Sequence, residues 1–222
     1  MRLLLTKHLN DADISKLGSD IVVDFVEVIS IEKIAFKIQD LKNKSLIFTS
    51  INAVKSFFEN DTSHQLTKLH PIYCVGEQSE KFLNQKGFEV LATKKNAEEL
   101  SKYFIEQSKD EDYLHFCGDI ALETLGKTFT KLGKNYTKVV SYATNLTYPK
   151  FNKEYDAVAF FSPSGVRSFT KFNSLEAKII FSIGQTTTNE ILNSTKKSAI
   201  TSAENTTEDL LNLIRQHASE KK

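Results

Sequence analysis

Short apolar runs alternate along the 222-residue chain with longer stretches whose apolar residues recur three and four positions apart. The runs read as strands and the stretches as helices. Residues 3–5 open with a strand, and the polar segment 10–18 follows as a helix with Asp or Ser caps. Residues 21–31 are strand-rich. Ile21, Val23 and Phe25 fall on one parity and Val22, Val26 and Val28 on the other, so both faces are apolar, as in a sheet covered on both sides. Residues 33–44 pattern weakly. From residue 46 the alternation sharpens into strand 46–49 with helix 52–59, then strand 72–75 with helix 78–86 closed by Gly87 as a helix C-terminal glycine. Strand 88–91 and helix 97–107 follow, the latter with Leu100, Tyr103 and Phe104 at helical spacing, and Lys109-Asp110-Glu111-Asp112 reads as a solvated loop. Next come strand 113–116, helix 120–132 and strand 137–142, and the polar run 144–153 with Pro149 is the best linker. The remainder reads as strand 157–161, helix 165–172, strand 179–183, helix 187–193, a short strand 199–201 and a last helix 207–217.

This alternation predicts the α/β class, with parallel sheets carrying helices on both faces. It also repeats. Phe160-Phe161-Ser162-Pro163-Ser164-Gly165-Val166-Arg167-Ser168-Phe169 answers Phe48-Thr49-Ser50-Ile51-Asn52-Ala53-Val54-Lys55-Ser56-Phe57, with Ser162 matching Ser50, Ser164 matching Asn52 and Phe169 matching Phe57. Tyr73-Cys74-Val75-Gly76-Glu77-Gln78-Ser79 matches Phe181-Ser182-Ile183-Gly184-Gln185-Thr186-Thr187, and Asn96-Ala97-Glu98-Glu99-Leu100 matches Thr206-Thr207-Glu208-Asp209-Leu210. The three offsets stay close to about 110 residues, as a duplicated domain-sized unit would give. Two similar domains are expected. With a strand-helix-strand unit at residues 3–29 and another at 113–143, each repeated unit closes either with the one before it, as contiguous domains, or with the other, as interleaved ones. The pattern leaves both open.

Composition is that of a soluble globular chain, 40% hydrophobic and 26% charged with 8 Gly and 3 Pro. A net charge of +1 argues against a nucleic-acid partner, which asks for a basic excess. It leaves room for a small anionic ligand. No window is apolar enough to span a bilayer, and Met1-Arg2-Leu3-Leu4-Leu5 turns polar at Thr6-Lys7-His8, so a cytoplasmic location is expected. Cys74 and Cys117 lie in apolar strands and read as reduced, buried thiols.

In open parallel sheets ligands bind beyond the carboxyl ends of the strands, where helix N-termini present unpaired N–H groups. Ser50, Asn52, Gly76, Ser79, Gly118, Ser162, Ser164, Gly184, Thr186 and Thr187 fall at such ends and are the candidate substrate contacts. Hydroxyl and backbone donors aided by helix dipoles suit carboxylates. Each residue alone is also an ordinary helix cap; recurrence of the same turns in both halves favours the binding reading. Other motifs fail. Gly126-Lys127-Thr128 imitates the end of a phosphate-binding loop, but the earlier glycine position holds Ala121 and the segment reads as helix. No GxGxxG fingerprint occurs. His115 and Cys117 share a strand face without a second ligand pair, so no metal is expected. His8, His64, His70 and His217 are scattered, and no Ser/His/Asp set stands out.

Taken in order, Leu46-Ile47-Phe48-Thr49-Ser50 with Asn52-Ala53-Val54, Val75-Gly76, Phe116-Cys117-Gly118, Val140-Ser141-Tyr142, Phe160-Phe161-Ser162-Pro163-Ser164-Gly165, Ile183-Gly184 before Thr186-Thr187, and Ala203-Glu204 resemble the uroporphyrinogen-III synthase family. The resemblance spans nearly the whole chain, and Phe-Phe-Ser-Pro-Ser-Gly is its most telling motif. It implies a cofactor-free cytoplasmic lyase of tetrapyrrole biosynthesis, monomeric, that turns hydroxymethylbilane into uroporphyrinogen III and receives its substrate by transient hand-over from hydroxymethylbilane synthase. It also implies interleaved domains, residues 1–30 plus 148–222 and residues 36–144, joined by a two-stranded connection near 30–37 and 143–150, with substrate held between them. In the implied reaction, loss of the terminal hydroxyl gives an azafulvene, the last pyrrole is attacked at its substituted carbon to form a spiro intermediate, and fragmentation with reclosure inverts that ring. Water closes the linear tetrapyrrole without inversion, so holding one geometry matters more than supplying a nucleophile.

The resemblance implies Tyr142 as proton donor to the departing hydroxyl, with Ser50, Ser79, Ser162, Ser164 and Thr187 as carboxylate or pyrrole contacts. Two departures stand out. Asp119-Ile120-Ala121-Leu122 lacks the basic residue that relatives often carry after this glycine, and Lys7-His8 stands where many carry Arg-Pro, so Lys7 is expected to supply that charge to substrate. The alternative is a non-catalytic two-domain binding module for an anionic metabolite; a nucleotide enzyme is disfavoured by the missing glycine fingerprints.

Overall fold

The computed structural model describes residues 1–38, 40–60, 64–107, 111–176 and 178–220. The chain divides into two compact units, Met1–Ser30 with Asn145–Lys222, and Ile31–Thr144. In each, continuous apolar strands form a largely parallel sheet whose two faces are both covered by helices, the arrangement their patterning calls for.

The first unit holds five parallel strands in the order β11 (Ile200–Thr201), β10 (Ile179–Ser182), β9 (Ala157–Phe160), β1 (Arg2–Leu5), β2 (Val22–Phe25). Leu3, Leu4 and Leu5 register against Ala157, Val158 and Ala159, so the first strand is central and built against one more than 150 residues later. Alternation then sorts the side chains. Leu3, Leu5, Ala157, Ala159 and Phe181 face Leu210, Leu211 and Ile214 of α8 (Thr207–Ser219), while Leu9 and Leu17 flank α1 (Asp11–Ser15) on the same cluster. Leu4, Val158, Phe160 and Ile180 face Val166 and Phe169 of α6 (Pro163–Thr170) and Ile191 of α7 (Gln185–Thr195).

The second unit carries six strands in the order β3 (Ile29–Lys33), β8 (Tyr136–Leu146), β7 (Asp112–Gly118), β4 (Lys44–Phe48), β5 (Ile72–Val75), β6 (Ala92–Lys94). Leu46, Phe48, Leu114 and Phe116 pack under Val54 and Phe57 of α2 (Ile51–Phe58) and Leu83 of α3 (Glu77–Gln85). On the other face Ile47, Tyr73 and Tyr113 meet Leu100 and Phe104 of α4 (Ala97–Gln107) and Leu125 and Phe129 of α5 (Thr124–Lys131). The chain passes between the units twice, inside β3 and β8, and these two strands pair. They run antiparallel, for Thr147 N donates to Val28 O at 3.2 Å and Ile34 N to Ser141 O at 3.0 Å. Among the described residues no helix is long and apolar enough to cross a membrane.

Several boundaries differ from those the patterning predicts. Residues 21–31 split into β2 and β3, which belong to different sheets. The expected strand at 88–91 forms instead as Ala92–Lys94: Phe88 N closes the end of α3 on Leu83 O, and the Phe88 and Val90 side chains cover the Phe48–Phe116 cluster rather than line a strand. Helix α5 starts at Thr124, not near residue 120, because residues 119–123 are tied to β8 as a loop. The expected linker begins only after β8 ends at Leu146. Of the charged patch expected at 109–112, Lys109 and Asp110 lie outside the described residues; Glu111 accepts hydrogen bonds from Ser45 Oγ and Tyr73 Oη, so it is an anchored group.

Phe116 is the centre of the second unit's core. It stacks on Phe48 with centroids 5.1 Å apart and meets the edge of Phe57 at 4.9 Å and tilted Phe36 at 5.5 Å. Replacing it removes three ring contacts and leaves a cavity that rigid neighbours cannot fill. Phe116→Ala is expected to destabilise this unit by about 3 to 5 kcal/mol, read as a lowered urea midpoint.

Candidate active site

In both units the candidate residues gather where parallel strands end and helices begin, because every strand-to-helix turn of such a sheet opens at the same edge. In the first unit, Ser162 adopts an extended backbone and its Oγ accepts from Gly165 N at 3.1 Å, capping α6, with Pro163 pre-set for the first turn. Ser164 Oγ lies 3.1 Å from Ser162 Oγ, so the two hydroxyls form a pair. Gly165 is fixed by space, since a Cβ there would stand 3.0 Å from Val28 Cγ2 and 3.2 Å from Ser162 Oγ. Beside this turn the Lys7 ammonium sits 5.7 Å from the Phe161 ring centroid, and His8 stacks on Phe25 at 4.7 Å.

At the next strand end Gly184 begins α7 without a side-chain cap. Its bare α-carbon is not open to a ligand. Asn205 Oδ1 lies where a Cβ would come within 2.4 Å, so Asn205 covers this turn. Asn205 itself is held in a left-handed conformation, φ 53°, in a loop organised by Asp209, whose carboxylate accepts from Ser202 Oγ, Ala203 N and Glu204 N at 2.7, 2.8 and 3.1 Å. Those hydrogen bonds, Ser202's first, hold the Asp209 carboxyl below its usual range. Thr186 is exposed on the first turn of α7, whereas Thr187 is buried, and its hydroxyl meets no hydrogen-bond partner among the described residues.

In the second unit Ser50 is the structural twin of Ser162. Its backbone is extended and its Oγ accepts from Asn52 N at 3.1 Å, capping α2. The phenol of Tyr142 comes close enough to the same hydroxyl for Ser50 to lower its pKa, which brings two sequence-distant candidates near one point. Burial raises the phenol's pKa above its ordinary value, and the nearby Ser50 hydroxyl opposes that rise, so Tyr142 is a neutral, proton-bearing group at neutral pH. Gly76 adopts φ 84°, a conformation that favours glycine, at the start of α3. Ser79 is turned inward: its Oγ donates to Val75 O at 2.9 Å, tying α3 to its strand. Gly118 is covered by the ring of Tyr142.

Several further side chains shape this edge. Lys138 Nζ donates to Ala121 O at 3.2 Å and to Glu123 Oε1 at 2.5 Å, while Asp119 Oδ1 accepts from Thr144 N at 3.0 Å. These bonds fix loop 119–123 and leave Ile120 and Leu122 exposed beyond the end of β7. His115 is buried, with Nε2 2.8 Å from Thr49 Oγ1 and Nδ1 2.6 Å from Tyr136 Oη. Lys138, Asn205 and Thr49 were not legible as site residues. Asn205 lies in a polar run next to the Ala203-Glu204 motif, which was the only available signal for it.

Among the described residues no group of three or more His, Cys, Asp or Glu side chains is placed to hold a metal ion, and His115 hydrogen-bonds hydroxyls instead. Burial pushes both the Cys74 and Cys117 thiols up to about 11, which suits inert thiols rather than nucleophiles. At the opposite, amino-terminal edge of the second sheet a pocket of about 320 Å³ lies beside Lys44, His70 and Pro71, where His70 Nε2 pairs with Leu41 O at 3.0 Å. It carries no comparable set of helix-terminal donors. The carboxyl edge of each unit therefore offers hydroxyls and helix N-termini as donors for an anionic substrate, and that of the second unit adds a partly buried phenol as a proton source.

The family model for uroporphyrinogen-III synthase HemD matches residues 12–216. The chain belongs to the uroporphyrinogen-III synthase family. It is thereby an enzyme of haem biosynthesis with uroporphyrinogen-III synthase activity. Among solved structures it is similar to the uroporphyrinogen-III synthetase of Helicobacter pylori, with a TM-score of 0.76 and 18% identity over 100% of both chains. A mutant uroporphyrinogen III synthase from the extremely thermophilic bacterium Thermus thermophilus follows with a TM-score of 0.65 and 14% identity, covering 100% of this chain and 99% of that one. At such identities these likenesses speak for the fold. A comparison with curated protein sequences finds no match.

The buried imidazole makes stability depend on pH. Burial, with a smaller push from Lys138, lowers the His115 pKa from 6.5 to about 4. Below pH 6.5 the unfolded chain takes up a proton that the folded state refuses, so stability is full above 6.5 and is lost as pH falls towards about 4. The expected loss over that window is on the order of 3 kcal/mol. Urea unfolding of the wild type and His115→Gln at about pH 7 and pH 4.5 checks it; the variant should show the shallower pH dependence.

Proposed function

We propose that the chain works as a cyclising hydro-lyase, closing hydroxymethylbilane to uroporphyrinogen III with inversion of the terminal ring and loss of water. The observation that carries this reading is the Tyr142 phenol, packed on the Phe116 cluster across Gly118 and close to the Ser50 hydroxyl at the carboxyl edge of the second sheet, in a chain of this family. The Tyr142 phenol hands its proton to the departing hydroxyl, the C–O bond breaks with loss of water, and the substrate is left as an electrophilic azafulvenium cation beside the phenolate. The Ser50 hydroxyl steadies the phenolate that remains. The terminal pyrrole then attacks through its substituted carbon, the spiro intermediate fragments and recloses with the ring inverted, and the proton released as that ring regains aromaticity restores the phenol. Helix N-termini capped by Ser50 and Ser162, the first turn of α7 with Thr186 and Thr187, and the Lys7 ammonium supply donors for the substrate's carboxylates. Monomeric action in the cytoplasm, without a cofactor and with substrate arriving from hydroxymethylbilane synthase, belongs to the same proposal.

The test is an isomer assay. Purified protein given fresh hydroxymethylbilane, followed by oxidation and separation of the porphyrins, should yield type III; exclusive type I, the uncatalysed product, would overturn the proposal. Tight binding of hydroxymethylbilane without type III product would favour a binding module instead. Tyr142→Phe keeps the ring and removes the proton, and should lower kcat roughly 10²-fold or more with KM little changed. Ser50→Ala should lower kcat by a smaller factor, since the phenol survives without its partner.

A further inference from the structure

Tyr142 reaches Ser50 only because of an irregularity in the sheet. Strands β7 and β8 pair Phe116 with Val139 and Cys117 with Val140, but Gly118 then pairs with Tyr142, so Ser141 is an extra residue in β8. A bulge of this kind changes which face the following side chains take. Val139 and Tyr142, three positions apart, accordingly both pack on the Phe116 cluster, where an unbroken strand would send them to opposite faces. Ser141 is buried and held from three sides: its Oγ donates to Cys117 O at 3.2 Å, and its carbonyl accepts from Ser56 Oγ at 2.5 Å and Ile34 N at 3.0 Å. The bulge is built into the core.

Turning Tyr142 to that face brings its ring across Gly118. A Cβ at Gly118 would stand 2.6 Å from Cζ, 2.7 Å from Cε2 and 2.8 Å from Oη of Tyr142, closer than any side chain tolerates. The backbone does not ask for glycine here, because Gly118 is outside the positive-φ glycines of the chain. Space alone asks for it. We infer that Gly118 is a positioning residue for Tyr142: its missing side chain leaves the place into which the Ser141 bulge turns the phenol, beside the Ser50 hydroxyl. Gly118 thus acts through Tyr142 and is not itself a substrate contact. The inference rests on the reading that the Tyr142 phenol serves the reaction.

Gly118→Ala tests it, since alanine fits the backbone and the clash falls on the movable end of a tyrosine side chain. Three proteins, Gly118→Ala, Tyr142→Phe and the double variant, are compared with the wild type by steady-state kinetics. In parallel, the tyrosines are labelled with 13C at Cζ and titrated by NMR, with the Tyr142 signal assigned by its absence in Tyr142→Phe. In Gly118→Ala the phenol should titrate closer to the ordinary tyrosine value of about 10. Its kcat should fall by about 10²-fold with KM little changed, as expected for a displaced reacting group. Added to Tyr142→Phe, the same change should cost nothing further in kcat. An unmoved Tyr142 titration in Gly118→Ala would overturn the inference whatever the turnover, and so would a further loss in the double variant. Full turnover in Tyr142→Phe, with the phenol still displaced by Gly118→Ala, would overturn instead the role given to Tyr142.

Discussion

In a parallel sheet every strand ends at the same edge, so every crossover helix must begin there with its N–H groups unpaired. The rest of this molecule depends on that constraint. It places the caps of α2 and α6, the uncapped starts of α3 and α7 and the loop before α5 along carboxyl edges, while the amino edges receive only helix ends. A repeated strand-turn-helix unit thereby repeats its donors as well as its core. Ser50 and Ser162 are alike in conformation, and each accepts from a backbone N–H of the first helical turn, Asn52 N and Gly165 N respectively, because each solves the same local problem, the satisfaction of an opening helical turn.

Where the two edges differ, the difference comes from what lies across a bare α-carbon. Gly184 is roofed by an amide from a loop that the Asp209 carboxylate holds in place, whereas Gly118 is roofed by a phenol that a core bulge re-aims. One roof is a hydrogen-bonding amide and the other a proton-bearing group, so equivalent scaffolds carry unequal chemistry. Lys138 sharpens the inequality. By binding Ala121 O and Glu123 it turns what would be the first turn of a helix into a fixed loop, and an apolar pair rather than a charge projects beyond the strand.

Most of the architecture was legible in the sequence because its causes are local. Apolar runs on both parities named strands buried on both sides, hydroxyls before apolar periodicity named the caps at Ser50 and Ser162, and Gly87 named the end of α3. The misplaced elements have tertiary causes. Phe88 and Val90 are as apolar in a loop that covers a core as in a strand, and Ile120 to Glu123 would extend α5 were they not held by Lys138. The site was legible as a set of strand ends but not as pairs. That Gly118 faces Tyr142, that Gly184 faces Asn205 and that Ser79 points inward each depend on a partner from another element. The bulge at Ser141 leaves no mark in a strand whose residues are otherwise ordinary.

The position of β1 has a consequence for how the chain comes into being. Leu3 to Leu5 sit at the centre of their sheet, and one neighbour, Ala157 to Ala159, leaves the ribosome only after the second unit's whole segment has emerged. The intervening unit is contiguous in sequence and can fold as it appears, while the opening leucines must stay unpaired on that side through most of synthesis. During that interval an apolar strand lacks one of its two pairing partners, which makes Leu3 to Leu5 a segment open to off-pathway pairing until residues 157–159 arrive.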